Sequence, residues 1–110
     1  MTIEEINTAL YKKMFDEQER FKAQLRDASP QEIMYNAYEL VIREDILLSM
    51  EENDLTFEQA KALLKSDHPL GDLFLKWERS ESRHMSEIRE LIESHADGLI
   101  RTAKANRDAR

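Results

Sequence analysis

Ser29-Pro30-Gln31-Glu32 and the apolar series Ile33, Met34, Ala37, Tyr38, Leu40, Val41, Ile42, Ile46, Leu47, Leu48 and Met50 that follows it decide the fold. Serine with glutamate three residues on, and proline between them at the first helical position, opens a helix. Asn53-Asp54 suits its end. The helix, about Pro30 to Glu52, carries too many apolar residues for one narrow stripe, so it reads as the central helix of an all-α domain.

Upstream, Ile3, Ile6, Leu10, Met14, Phe21 and Leu25 recur at steps of three, four and seven, one stripe of an amphipathic helix to about Arg26, with Asp27-Ala28 as the interruption. Downstream, Thr56-Phe57-Glu58-Gln59 repeats the capping-box spacing and opens a short helix with Ala60, Leu63 and Leu64 inward. Ser66-Asp67-His68-Pro69 ends it, and Pro69 starts a fourth helix with the stripe Leu70, Leu73, Phe74 and Trp77. A polar stretch from Glu78 to Arg83 places a break near Ser80. A fifth helix then carries Met85, Ile88, Leu91, Ile92, His95, Leu99 and Ile100, with Asp97-Gly98 as an end or bend.

The 110 residues fit one domain, which folding buries to roughly two-thirds of its extended surface. Only two Gly and two Pro leave too little turn chemistry for many strands. The expected architecture is a compact single-domain bundle of about five helices over residues 1–110, helices one and five packed on helix two, with 101–110 a frayed basic tail.

No cysteine is present, which excludes a disulfide framework, a thiolate metal site and a cysteine nucleophile. The acidic start Met1-Thr2-Ile3-Glu4-Glu5 is unlike a secretory signal, and the apolar runs are far too short to span a membrane. A cytoplasmic setting is the expectation. The net charge of −7 is unevenly spread: residues 1–58 hold 6 Lys/Arg against 14 Asp/Glu, and residues 59–110 hold 10 against 9.

Three strings, Arg43-Glu44-Asp45-Ile46-Leu47, Ala62-Leu63-Leu64-Lys65-Ser66-Asp67-His68-Pro69-Leu70 and Ser82-Arg83-His84-Met85-Ser86-Glu87-Ile88-Arg89, resemble a family of small uncharacterised all-helical proteins. That family comes from intestinal anaerobic bacteria and from their phages and conjugative elements, and the resemblance runs from about Ile6 to Leu99. It implies a mobile-element setting. It implies no activity, cofactor or catalytic residue.

The residues themselves supply no catalytic set. Glu81-Ser82-Arg83-His84 has the Glu-x-x-His spacing of di-iron bundles, but no second such motif exists. His95 lies about 16 Å further along the helix than His84, so no metal site is expected. No serine sits in a Gly-x-Ser-x-Gly elbow and neither glycine belongs to a phosphate loop. Leu55 to Leu64 followed by a second short helix has the outline of a helix-turn-helix, yet Leu70 to Glu78 offers Lys76 alone against Asp72 and Glu78. Arg101, Lys104, Arg107 and Arg110 form a basic edge without stacking aromatics, a weak nucleic-acid signal at a helix end that favours cations anyway.

The acids around the end of helix two are harder to explain by stability. Glu51 and Glu52 oppose the helix macrodipole where a cation would be favoured, whereas Asp54 and Glu58 at least suit the start of helix three. With Asp16, Glu17 and Glu19 they form a candidate acidic face for a partner with a basic surface. Trp77, Phe74 and Tyr38 read as core; Phe57 and Tyr35 are candidates to anchor a partner.

The function expected is therefore that of a small acidic protein-interaction module of a mobile genetic element, not an enzyme, with no cofactor. Its specific form is a stoichiometric inhibitor of a host process, such as an anti-defence (anti-CRISPR-like) protein. The alternative is an accessory DNA-binding or transcriptional regulator using residues 56–78 or the basic tail. A homodimer stays open, since the stripe on helix five suits a core or a two-fold interface equally.

Overall fold

A computed structural model describes residues 1–108, and within them the side chains of all but residues 81–83. The described chain is all-α: α1 (Ile3–Arg26), α2 (Pro30–Glu52), α3 (Phe57–Leu64), α4 (Pro69–Arg79) and α5 (Glu81–Asp108), with no strand among the described residues. Local chemistry accounts for the helix starts. Thr2 with Glu5, and Thr56 with Gln59, form complete capping boxes, while Ser29 accepts from the Glu32 amide with Pro30 in the first turn. At the end of α4 the Ser80 amide and hydroxyl both donate to the Trp77 carbonyl, which stops the helix where the polar stretch predicts a break.

By its internal contacts the chain divides into two units, Met1–Lys76 and Trp77–Arg110, where the sequence reads as one domain. In the first unit the core is Ile6, Leu10, Met14, Leu47, Ala60 and Leu70, with Leu63, Leu64, Leu73 and Phe57 partly buried against it. The helix at the centre is α1, not α2: both α2 and α3 pack on α1. Of α2 only Leu47 is buried, and Met34, Tyr35 and Val41 are exposed. The apolar residues of α2 are spread around its circumference and cannot all face one neighbour, whereas those of α1 lie on one stripe.

That stripe departs from the expected one. Ile3 is exposed, and beyond Met14 the buried positions are Glu17 and Gln18. These and other polar residues of α1 satisfy backbone groups of the other helices and loops. Asn7 donates to the Leu55 carbonyl and accepts from the Leu55 amide, 2.9 and 3.0 Å, holding the α2–α3 loop. Lys13 Nζ donates to the Leu64 carbonyl at the end of α3. Glu17 accepts from the Leu70 amide at 2.9 Å and from the Gly71 amide at 2.7 Å, at the start of α4. The Arg43 guanidinium lies 3.7 Å from Glu17 and 2.8 Å from Glu39. It also stacks over the Phe21 ring.

The second unit is dominated by α5, which continues through the residues expected to fray as far as Asp108. Ala103, Lys104, Ala105 and Arg107 are good helix formers, which favours that continuation. Gly98 does not end the helix. Of the two uses that the sequence leaves open for the stripe of α5, a core or an interface, burial in a core is not seen: Met85, Ile88, Leu91, Ile92, Leu99 and Ile100 are all exposed, and so is His95, expected at the core edge. Trp77 is also exposed at 46%, while Phe74, three residues earlier, is buried and meets the Tyr38 ring edge to face. The five helices and the all-α class read from the sequence hold; in place of one compact bundle there are two units.

Gly71 gives the Glu17 contact a direct test. A Cβ there would lie 3.2 Å from Glu17 Oε2 and 3.4 Å from an Arg43 nitrogen, both held by hydrogen bonds or ion pairs, so neither yields easily. Gly71→Ala is expected to lower stability in the wild-type chain and to raise it in a Glu17→Ala background, where the helix-propensity gain of about 1 kcal/mol is unopposed. Glu17→Ala alone is expected to cost about 2–4 kcal/mol, since it strands two amides and loosens Arg43. Urea denaturation of the four proteins measures all of these; an equal Gly71→Ala effect in both backgrounds refutes the coupling.

Candidate functional site

A groove runs between α1 and α2. One section, a cleft of about 140 Å³, is lined by Tyr11, Phe15, Gln18, Glu19 and Lys22 of α1 and by Glu44, Leu47, Leu48 and Glu51 of α2. The next section, about 210 Å³, is lined by Glu4, Asn7, Thr8 and Tyr11 with Met50, Glu51 and Asp54. Tyr11 and Glu51 belong to both. The Tyr11 hydroxyl donates to Glu51 Oε1 at 2.5 Å, and this bond holds the phenol above its ordinary pKa. Tyr11 also stacks on Phe15, which fixes the aromatic wall of the cleft.

The two sections differ in charge. In the first, Lys22 Nζ sits 2.7 Å from Glu44 and 3.6 Å from Glu19. The bond to Glu44 raises the Lys22 pKa, while bonds from Lys22 and then Gln18 hold the Glu44 carboxyl below the usual range. Glu44 thus adds stability above its unfolded pKa of 4.5, lost as pH falls through the lower folded value. Both groups are partly exposed, so the net worth is small. In the second section Glu4, Glu51 and Asp54 meet no Lys or Arg among the described residues.

Of the acidic positions singled out from the sequence, Glu51 and Asp54 come together in the second section, and Glu19 and Glu51 line the first. Asp16, Glu52 and Glu58 are exposed and line neither. Glu17 is on no exposed face: it is 8% exposed and serves α4. Its burial was not visible because the amides it caps lie 53 and 54 residues away. Sequence reasoning missed Glu4, Tyr11, Phe15 and Glu44 as lining residues. Nothing local marks them, because the groove forms only when α1 and α2 lie side by side. Phe57 is half-buried, and Tyr35 is 87% exposed.

A second polar cluster lies at the start of α4. Ser66 Oγ donates to Asp72 Oδ2 at 2.6 Å and accepts from the His68 amide, and His68 Nδ1 lies 3.0 Å from Asp72 Oδ1. Serine, histidine and aspartate meet here, but the hydroxyl is bonded to the carboxylate and not to the imidazole, so the order of a nucleophile and its base is absent. The cluster is a helix-start lock. It also bears on the helix-turn-helix outline: the first amides of α4, which a recognition helix turns toward nucleic acid, are bonded to the Glu17 carboxylate. Of the Glu81–His84 pair, the Glu81 side chain lies outside the described residues, and His84 is exposed.

Residues 6–100 match the family described as protein of unknown function (DUF3848). The chain belongs to this family. Neither the curated proteins nor the solved structures gave a match. Among the described residues no helix is long and apolar enough to cross a membrane.

The His68 lock has a readable pH signature. Its own backbone and then the Asp72 carboxylate raise the His68 pKa above 6.5, and Ser66 and then His68 lower that of Asp72 below 3.8. The His68 contribution is complete below pH 6.5 and is lost as pH rises through the folded value; that of Asp72 is complete above 3.8 and lost as pH falls through its folded value. An NMR titration is expected to place His68 above 6.5 and to return it toward that value in Asp72→Asn. An unchanged titration in the variant excludes the lock.

Proposed function

We propose that this chain is a small non-catalytic protein-interaction module that accepts a basic segment of a partner protein along the α1–α2 groove. The observation that carries this reading is the grouping of Glu4, Glu51 and Asp54 around one depression without a cation among the described residues. The last turn of α2 holds no basic residue, so Glu51 and Glu52 stand against the helix macrodipole, a placement that costs stability and that a basic partner would relieve. Tyr11 and Phe15 beside the acids add an aromatic wall suited to the stem of a Lys or Arg side chain.

The resemblance of the quoted strings to proteins of intestinal anaerobes, their phages and conjugative elements supports a mobile-element setting and a cytoplasmic site of action. In that setting the module acts as a stoichiometric inhibitor of a host process, an anti-defence protein being the specific form proposed. The alternative, an accessory nucleic-acid binder, draws support from the helical continuation through Arg101, Lys104 and Arg107, which puts these cations on an ordered element.

Affinity capture from nuclease-treated host lysate, with wild-type chain and a Glu51→Lys, Asp54→Lys variant side by side, tests the reading. A protein with a basic surface, retained by the wild type and weakened at least about tenfold with the variant, is the expected result. Glu52→Lys is the control for stability. It is expected to raise the unfolding free energy by about 0.3–1 kcal/mol through the helix dipole. Full retention by the double variant overturns the acidic-groove mechanism, and a salt-dependent gel shift with no captured protein transfers the reading to nucleic acid.

A further inference from the structure

One buried acceptor in the wall of the α1–α2 groove has no donor. Gln18 is 1% exposed, and its Nε2 donates to the Leu40 carbonyl at 3.4 Å and to Glu44 Oε1 at 3.1 Å. Its Oε1 is buried and accepts no hydrogen bond among the described residues. Gln18 and Glu44 both line the first section of the groove, so the amide end of Gln18 lies at that cleft. A buried acceptor without a donor has given up its bonds to water for nothing in return, and a donor brought into the cleft recovers that loss.

The remaining lining selects the donor. Glu19, Glu44 and Glu51 face one cation, Lys22, so a charged donor is favoured over a neutral one. Lys22 holds Glu44 at 2.7 Å and Glu19 at 3.6 Å, while Glu51 is engaged by the Tyr11 hydroxyl through Oε1. The acceptors left over stand on opposite helices, Gln18 on α1 and Glu51 on α2. An ammonium is a compact point charge; a guanidinium is a planar fork of donors that serves separate acceptors together and stacks on an aromatic ring, of which the cleft has Tyr11 and Phe15. At about 140 Å³ the cleft is below the roughly 300 Å³ at which small-molecule sites begin, so it suits the end of one side chain and not a free small molecule.

We infer that the first section of the groove is a socket for one arginine side chain of the partner protein, its guanidinium donating to Gln18 Oε1 and pairing with Glu51, and that Lys22 is a built-in competitor. This rests on the acidic-groove reading and adds to it a residue type and the group that selects it. Lys22 already satisfies part of the negative charge of the cleft, but its pair with Glu44 is partly exposed on both sides and weak enough to yield.

The isotope-labelled full chain is titrated at low salt with N-acetylarginine amide and, separately, with N-acetyllysine amide, and the Gln18 side-chain amide and the Tyr11 and Phe15 ring signals are followed by NMR. The arginine derivative is expected to move all three sets of signals and to bind at least about tenfold more tightly than the lysine derivative. Gln18→Met keeps the length of the side chain and removes the acceptor; it is expected to weaken arginine binding at least about tenfold. Lys22→Met, at a partly exposed position outside the core, is expected to strengthen it about threefold. Should Gln18→Met fail to fold, the arginine-to-lysine ratio and the Lys22→Met effect decide by themselves. Equal binding of the two derivatives, or unchanged arginine binding in folded Gln18→Met, overturns the socket. So does the absence of saturable shifts in both the wild type and Lys22→Met. In each of these cases a basic protein still captured through Glu51 and Asp54 leaves the acidic groove standing and moves the partner's cations to its second section, whereas loss of that capture removes both readings.

Discussion

A single carboxylate organises the first unit. Glu17, buried on α1, accepts from the first amides of α4 and faces the Arg43 guanidinium of α2, so three helices meet at one charge. The start of a helix carries unpaired amide donors and a partial positive charge, and an anion is the natural group to place there. Burying that anion without partners would be prohibitive. Here two short amide bonds and a guanidinium compensate it, and Arg43 is in turn shared with Glu39 and stacked on Phe21. Gly71 leaves the space the carboxylate needs: any larger residue presses a Cβ against it.

The same logic repeats along α1. Asn7 pairs with both backbone groups of Leu55, Lys13 reaches the carbonyl of Leu64, and Gln18 donates to Leu40 and Glu44. An ordinary amphipathic helix presents apolar groups inward and leaves loops to find their own hydrogen bonds. In this chain α1 brings a small apolar core, Ile6, Leu10 and Met14, together with the polar groups that finish the α2–α3 loop, the end of α3 and the start of α4. With so few large residues fully buried, polar satisfaction from α1 contributes much of the positioning of these elements.

That arrangement also shapes the surface. Tyr11 sits on the flank of α1 and bonds Glu51, which steadies the carboxylate at the lip of the groove and separates a cation-compensated section from an uncompensated one. Apolar residues are exposed elsewhere, among them Met34 and Tyr35 on α2 and Met85, Leu91 and Leu99 on α5. The acidic groove and the exposed stripe of α5 lie on different units.

What the amino-acid order determined by itself is local. The helix starts at Ser29 and Thr56 are written in side chains three residues from the amides they bond, and the same spacing in Thr2 and Glu5 was there to be read. The break at Ser80 lies in a stretch without apolar residues, and helix number and class follow from the 3.6 period and the shortage of Gly and Pro. Only tertiary structure decided that α1 lies at the centre, that Glu17 is a cap and not part of an exposed face, and that Glu4 joins Glu51 and Asp54. A carboxylate carries no mark of its eventual neighbours, and those neighbours lie about fifty residues away along the chain. The stripe of α5 makes the same point from the apolar side: periodicity states that a face needs covering, and the identity of what covers it is a property of the folded surfaces that meet.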